Sequence, residues 1–223
     1  TEHLSKHFQQ RIAVDDVSLE IRHGEVFGFL GPNGAGKTTT IAMLLGLIKP
    51  TRGQVIVLGH DVQRDPVAAL RSVGAMIEAP AFYPYLNGRD NLRVLARADG
   101  LPQANIERVL ATVEMDERAS DRFNTYSQGM KQRLAIAAAL LADPQVIILD
   151  EPTNGLDPAG TVEIRGLLRS LSEGGRTIFL SSHLLHEVEQ VCERVAILKQ
   201  GRVLAQGRVD ELLQHGKGVQ VRI

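Results

Sequence analysis

Apolar residues along this chain fall into short continuous runs and into longer stripes with helical spacing, and the two patterns alternate. The runs are rich in branched and aromatic residues, which is typical of buried strands. They lie at 26–30, 73–77, 146–149 and 177–180. The helical stripes lie at 40–47, 127–141, 158–171 and 184–192. Strands that alternate with helices predict a parallel sheet, joined by crossovers and covered on both faces.

Other segments predict smaller units around this sheet. Apolar and polar residues alternate as in strands, or as in a hairpin around Gly201. These segments lie at 4–8, 17–21, 53–58, 195–198, 202–206 and 219–223. Residues 87–113 read as helical, with a break at 100–102.

The loop between the first buried run and the first helix matches the pattern G-x-x-x-x-G-K-[ST]. Its residues are Gly31, Pro32, Asn33, Gly34, Ala35, Gly36, Lys37, Thr38 and Thr39. Glycines allow a tight turn whose N–H groups point at phosphate oxygens, and the helix N-terminus adds positive potential. In this pattern Lys37 reaches the β- and γ-phosphates and the Thr38 hydroxyl ligates Mg²⁺. A glycine-rich turn with a chance lysine would not explain the strand and helix in register, so we predict nucleoside triphosphate binding.

Two carboxylates, Asp150 and Glu151, follow the apolar run at 146–149. Ligands of open α/β sheets bind at the carboxyl ends of the strands. We therefore expect Asp150 to hold Mg²⁺ opposite Thr38, and Glu151 to act as general base toward a water molecule. The alternative is that both are solvated carboxylates at a strand end, but this does not explain why a phosphate loop is predicted on a neighbouring strand.

Composition narrows the choice of partners and compartment. The chain has 223 residues, a formal net charge of -1 and one cysteine. No run of lysine or arginine offers a nucleic-acid footprint. A single cysteine, Cys192, forms no internal disulfide and is interpreted as a core residue in a reducing cytosol. No apolar stretch approaches the ~20 residues of a membrane-spanning helix, and we expect a cytoplasmic protein.

Further motifs stand around the phosphate loop in a fixed order. Residues 126–133, Tyr-Ser-Gln-Gly-Met-Lys-Gln-Arg, resemble the signature motif of ABC ATPases. Residues 154–157 lie where that family has its D-loop, His183 where it has its switch histidine, and Phe8 at its adenine-stacking aromatic. On these motifs, the chain is identified as a member of the ABC ATPase family over essentially its whole length.

The resemblance implies an α/β fold: a P-loop NTPase core with a mainly parallel sheet, an N-terminal antiparallel β subdomain and an inserted helical subdomain. Residues 1–86 and 143–223 would form the core, and residues 87–142 the helical subdomain that carries the signature motif. It also implies a head-to-tail dimer, with itself or a paralogous ATPase, and two ATP molecules between the subunits.

The resemblance assigns roles to individual residues as well. Lys37, Glu151 and His183 would be catalytic, with ATP and Mg²⁺ as cofactors. Ser127, Gly129 and Asp157 of one subunit would face the nucleotide bound by the other. The common signature sequence is L-S-G-G-Q, and this chain departs from it at three positions, Tyr126, Gln128 and Met130. Since Ser127 and Gly129 are kept, we expect nucleotide binding to survive.

Glu78 is a second departure, since most members of the family carry glutamine there. In this respect the chain resembles the branch that exports or resists peptide antibiotics such as bacitracin and lantibiotics. We expect Glu78 to approach or ligate Mg²⁺ in the closed dimer, with a surface glutamate as the alternative.

The segment 78–92 is where the family docks on its transmembrane permease. Phe82, Tyr83 and Tyr85 concentrate aromatic surface in it, which suggests a partner site. The alternative is that these rings cap the core of the helical subdomain. The resemblance thus implies an ATPase peripheral on the inner face of the cell membrane.

Two other functions compete with this interpretation. A soluble ABC ATPase that acts on DNA or ribosomes would typically have a long coiled-coil insertion or two cassettes, and neither is present in this sequence. A GTPase or small-molecule kinase would leave the motif at 126–133 unexplained, and the guanine-specifying N-K-x-D is absent.

Overall fold

The computed structural model describes residues 1–77 and 81–215. The strands are β1 (Glu2–Phe8), β2 (Arg11–Val17), β3 (Val26–Leu30), β4 (Arg52–Gln54), β5 (Ile56–Val57), β6 (His60–Asp61), β7 (Val73–Met76), β8 (Val146–Leu149), β9 (Thr177–Ser182), β10 (Arg194–Lys199) and β11 (Arg202–Arg208). The helices are α1 (Lys37–Leu44), α2 (Pro66–Leu70), α3 (Gly88–Ala98), α4 (Ala104–Thr112), α5 (Gln128–Leu140), α6 (Pro158–Glu173), α7 (Leu185–Val191) and α8 (Val209–His215).

A six-stranded sheet forms the centre, in the order β11-β10-β3-β9-β8-β7. Its strands are parallel except β11, which pairs antiparallel with β10. The parallel sheet and the final hairpin predicted from the sequence are therefore confirmed. Two smaller sheets accompany it, β2-β1-β4 and β5-β6, both antiparallel.

The two faces of the central sheet pack in different hydrophobic clusters, because successive side chains of a strand point to opposite sides. On β8, Ile148 faces the cluster that contains Leu4 and Ile41, from β1 and α1. Ile147 and Leu149 face the other cluster. That second cluster takes in α6 and α7 and continues into α3, α4 and α5.

Helices α3, α4 and α5 pack together to one side of the central sheet. Leu92, Ile106 and Leu134, one from each helix, are fully or almost fully buried in a common cluster. Ser127 caps α5, since its Oγ accepts a hydrogen bond from Met130 N at 3.2 Å. Within the described residues, no helix is long and apolar enough to span a bilayer.

Several predicted boundaries were wrong. The second strand is Arg11–Val17 and not 17–21: Leu19 is buried, and the Thr1 and Leu19 backbones share hydrogen bonds, but the ladder assigned to β2 ends at Val17. The predicted strand at 53–58 splits because β4 pairs with β1 whereas β5 pairs with β6. Helix α1 begins at Lys37 instead of 40. The strand predicted at 219–223 lies outside the described residues.

Candidate active site

The phosphate loop leaves β3 and enters α1 through a backbone that excludes larger residues at two points. Gly36 has φ 109 and is the N-cap of α1, and a Cβ on it would lie 2.5 Å from the backbone oxygen of Ala13. A Cβ on Gly31 would lie 2.4 Å from Leu198 O. Both neighbours are main-chain atoms of strands, which cannot move away cheaply. The loop is thus held tightly against β2 and β10.

Lys37 is the buried cation of this loop, with 6% of the residue exposed. Its Nζ donates to Gly31 O at 2.7 Å and to Pro32 O at 3.2 Å, and it lies 3.1 Å from Glu151 Oε1. The lysine therefore connects the loop to the Glu151 carboxylate after β8.

Thr38 and Asp150 meet across the end of the sheet. Thr38 Oγ1 donates to Asp150 Oδ2 at 2.8 Å, and Ser181 Oγ, at the end of β9, donates to Asp150 Oδ1. Parallel strands place their carboxyl ends at one edge, so residues far apart in the sequence come together here. The result is a pair of adjacent oxygen atoms, one of a hydroxyl and one of a carboxylate, which are the donor types that Mg²⁺ prefers.

Glu151 is held on both of its oxygens. His183 Nδ1 lies 2.7 Å from Oε2, and the Lys37 ammonium lies near Oε1, which is buried and forms no hydrogen bond of good geometry. The Glu151 backbone has φ 50, in the left-handed region that non-glycine residues seldom adopt. Its N–H donates to Ser181 Oγ at 3.0 Å.

A cavity of about 330 Å³ opens over the phosphate loop. Phe8, Arg11 and Ala13 line it together with residues of the loop and Glu151. Phe8 is 46% exposed at the end of β1, so its ring is available to a ligand. A larger cavity, about 740 Å³, adjoins Leu19, Ile148 and Phe179 and contains none of the predicted site residues.

The structure does not bring the signature and D-loop residues to this cavity. Ser127, Gly129 and Asp157 are absent from its lining. A Cβ on Gly129 would meet nothing nearer than Ser127 Oγ at 4.0 Å, so one face of this position is open. Asp157 caps α6, with Oδ1 accepting from Gly160 N at 2.9 Å.

The residues that depart from the family pattern have different surroundings. Tyr126 is a core residue: it is 4% exposed, its hydroxyl donates to Arg118 O at 2.8 Å, and burial raises the pKa of the phenol. It packs against Gly88 and belongs to the cluster around α3 and α5. Glu78 lies outside the described residues.

The aromatic residues before α3 divide into two groups. Phe82 packs edge-on against Phe123 with ring centroids 5.1 Å apart, so for this residue the expectation of an exposed ring was wrong. Tyr83 and Tyr85 are 46% and 66% exposed. The side-chain amide of Asn91 fixes Tyr83, accepting from its N–H at 2.8 Å and donating to its carbonyl at 3.1 Å.

Sequence reasoning missed Ser181 and Arg11. Ser181 bridges Asp150 and the Glu151 backbone, and its only signal was a polar residue at the end of a buried strand. Arg11 lines the cavity beside Phe8, and its signal was a cation three residues after the aromatic.

Known proteins resemble this chain closely. The model of the ABC transporter family matches residues 14–154. An uncharacterised ABC transporter ATP-binding protein of Bacillus subtilis is 48% identical over 203 residues, 90% of this chain and 67% of that protein. A bacitracin transport ATP-binding protein of Bacillus licheniformis is 44% identical over 219 residues, 97% of this chain and 72% of that protein. A dimeric ATP-binding cassette, solved in a post-hydrolysis state bound to ADP and Pi, has TM-score 0.81 and 26% identity over 93% of this chain and 97% of its own.

Proposed function

The chain belongs to the ABC transporter family as an ATP-binding subunit, and we propose that it hydrolyses ATP with Mg²⁺ to drive export of a peptide antibiotic or similar compound. One observation carries the proposal. Lys37 and Thr38 begin α1, Asp150 and Glu151 follow β8, and these two separate segments meet through the Lys37–Glu151 and Thr38–Asp150 contacts. Members of this family generally hydrolyse ATP, and the convergence supplies the groups that the reaction needs.

The Thr38–Asp150 pair suits a magnesium ion. Mg²⁺ takes one or two protein oxygens and completes its shell with water and substrate phosphates. Thr38 and Asp150 would hold the ion, which when bound neutralises charge on the β- and γ-phosphates. A contribution from Glu78 remains an expectation.

Glu151 takes a proton from the attacking water. The water oxygen bonds to the γ-phosphorus as the bond from that phosphorus to ADP breaks. His183 orients the carboxylate through Oε2, and Lys37 supplies positive charge beside Oε1 and the phosphate chain. The phosphate loop residues 31–39 cradle the phosphates with backbone N–H groups. Phe8, which lines the same cavity, stacks on the adenine.

The site of one chain is completed by a second copy or a paralogous ATPase. Ser127, Gly129 and Asp157 lie away from the cavity of their own chain, and Ser127 and Asp157 are exposed. The open face of Gly129 leaves room for a partner's phosphate group. Of the solved relatives, one is a dimer with ADP and Pi, which supports this arrangement.

The segment 78–92 is the contact with a transmembrane permease. Tyr83 and Tyr85 expose aromatic surface just before α3, and the Asn91 side chain on α3 fixes the Tyr83 backbone. Residues 87–142 form the helical subdomain, which carries the end of this segment and the signature motif. The other described residues form the core. Through this contact the chain would be peripheral on the cytoplasmic face of the membrane.

The proposed export substrate is supported by the relatives. A bacitracin transport protein shares 44% of residues across nearly the whole chain, so a peptide antibiotic is the proposed substrate class. No described feature favours the soluble alternative.

Steady-state hydrolysis by the purified chain tests the proposal. Glu151→Gln keeps the size of the side chain and removes the base, so the rate should fall by about 10²- to 10⁴-fold with ATP binding retained. The control is Glu173→Gln, an exposed carboxylate at the end of α6, which should hydrolyse at the wild-type rate. A wild-type rate for Glu151→Gln, or no hydrolysis by the wild type, would refute the proposal.

A further inference from the structure

Glu187 is a buried carboxylate that the proposed reaction does not use. It lies on α7 and is 7% exposed. Its Oε2 accepts two hydrogen bonds, from Thr153 Oγ1 at 2.6 Å and from Ser182 Oγ at 2.9 Å. No cation pairs with it within residues 1–77 and 81–215. The Glu187 carboxylate and the two hydroxyl groups therefore fix one another in place through these hydrogen bonds.

The two hydroxyls belong to the segments that carry the reacting side chains. Thr153 is two residues after Glu151, and Ser182 directly precedes His183. Glu151 and His183 contact each other at 2.7 Å. Glu187 thus links the segment that carries the base, Glu151, to the segment that carries its orienting residue, His183.

The Glu151 backbone needs such support. A non-glycine residue with positive φ persists only where the surrounding structure fixes it, and such residues cluster at functional sites. Ser181 fixes Glu151 on its N-terminal side, through the bond from the Glu151 N–H. The bond from Thr153 to Glu187 fixes the same turn on its C-terminal side.

From this geometry we propose that Glu187 is a positioning residue for hydrolysis. It holds the turn 151–153 against the end of β9, so that the Glu151 carboxylate stays within reach of His183. The inference rests on the proposed function of Glu151. Glu187 makes no contact with nucleotide in this proposal. Its replacement should therefore change kcat and leave ATP binding unchanged.

Three variants measure this separation. Glu187→Ala removes both bonds and should lower kcat by about 10- to 100-fold, the range known for residues that orient metal ligands. Its ATP affinity, measured by calorimetry, should be unchanged. Glu187→Gln keeps an oxygen that can accept both hydroxyls and should restore most of the rate. Thr153→Val is nearly isosteric and should also lower kcat. Combined with Glu187→Ala it should add little, because both variants lose the same Thr153–Glu187 hydrogen bond.

Glu189→Ala is the matched control, since Glu189 lies on the same helix and is partly exposed. It should leave kcat at the wild-type value. Thermal melting of each variant shows what fraction is folded at the assay temperature. If Glu187→Ala does not fold, the Thr153→Val and Glu187→Gln rates decide.

The proposal is overturned if folded Glu187→Ala hydrolyses ATP at the wild-type rate. It is equally overturned if the loss of rate only follows the loss of folded protein, or if Glu187→Gln is as impaired as Glu187→Ala. If the wild type does not hydrolyse ATP, or if Glu151→Gln leaves its rate unchanged, the proposed function is refuted instead.

Discussion

Replacing Gly36 with alanine should disable the phosphate loop more severely than the loss of backbone freedom alone explains. Gly36 has φ 109, and a Cβ there would lie 2.5 Å from Ala13 O, 3.4 Å from Val14 Cγ2 and 3.5 Å from Leu198 Cδ2. The first contact is with the backbone of β2, which is fixed by its ladder with β1. Either the loop or the strand must move.

The loss of folding stability in Gly36→Ala has two parts. A non-glycine residue in this backbone region costs about 1–3 kcal/mol. Forcing a methyl group into a packed site costs about 1–3 kcal/mol more. Gly59→Ala separates the two, because Gly59 also has positive φ, 84, but a Cβ on it would meet nothing within 4 Å. The difference between the two variants is therefore the cost of the clash, which would lower the melting temperature by roughly 2–12 °C in a chain of this size.

The assay combines thermal melting with ATP titration by calorimetry. Gly36→Ala should melt below Gly59→Ala and should lose ATP binding, because the displaced loop no longer directs its N–H groups at the phosphates. Gly59→Ala should bind ATP as the wild type does. If Gly36→Ala melts with Gly59→Ala and binds ATP normally, the loop is not held against β2 as the structure has it.

Two further predictions concern side chains at the edge of the site and in the core. Phe8→Ala should weaken ATP binding by about 1–3 kcal/mol, the usual value of one base stacked on an aromatic ring, and GTP binding equally; calorimetry that finds no change for either nucleotide would remove Phe8 from the site. Cys192 is buried and burial raises the pKa of its thiol, so it should react with a thiol reagent only as fast as the chain unfolds; rapid labelling of the folded protein would contradict its place in the core.

The elements of the second half could be predicted well because each run has a single clear period. Residues 146–149 and 177–180 are continuous apolar runs, and both are strands with buried residues on both faces. The N-terminal part was predicted less well, since alternation reports burial and not pairing. Leu19 is buried, as the alternation indicates, but it lies beyond the end of β2.

The candidate site divides in a similar way. A motif of fixed spacing predicted the phosphate loop, and a strand end predicted the roles of Asp150 and Glu151. Ser181 and Glu187 could not be identified, because their partners are 31 and 34 residues away in the sequence and one hydroxyl or carboxylate has no pattern of its own. Tyr126 shows the converse: its place in a sequence motif concealed its role in the core.

In the proposed mechanism two chains complete one ATP site, and the mass of the Glu151→Gln protein in solution reports whether they do. Measured by light scattering, this variant should be a dimer with ATP and Mg²⁺ and a monomer without nucleotide. Adding Gly129→Asp should return it to a monomer, because a carboxylate then faces the partner's phosphates. The same aspartate suits the first turn of α5, so folding and ATP affinity of the monomer should be kept. A monomer under every condition, or a dimer that Gly129→Asp leaves intact, would contradict the account.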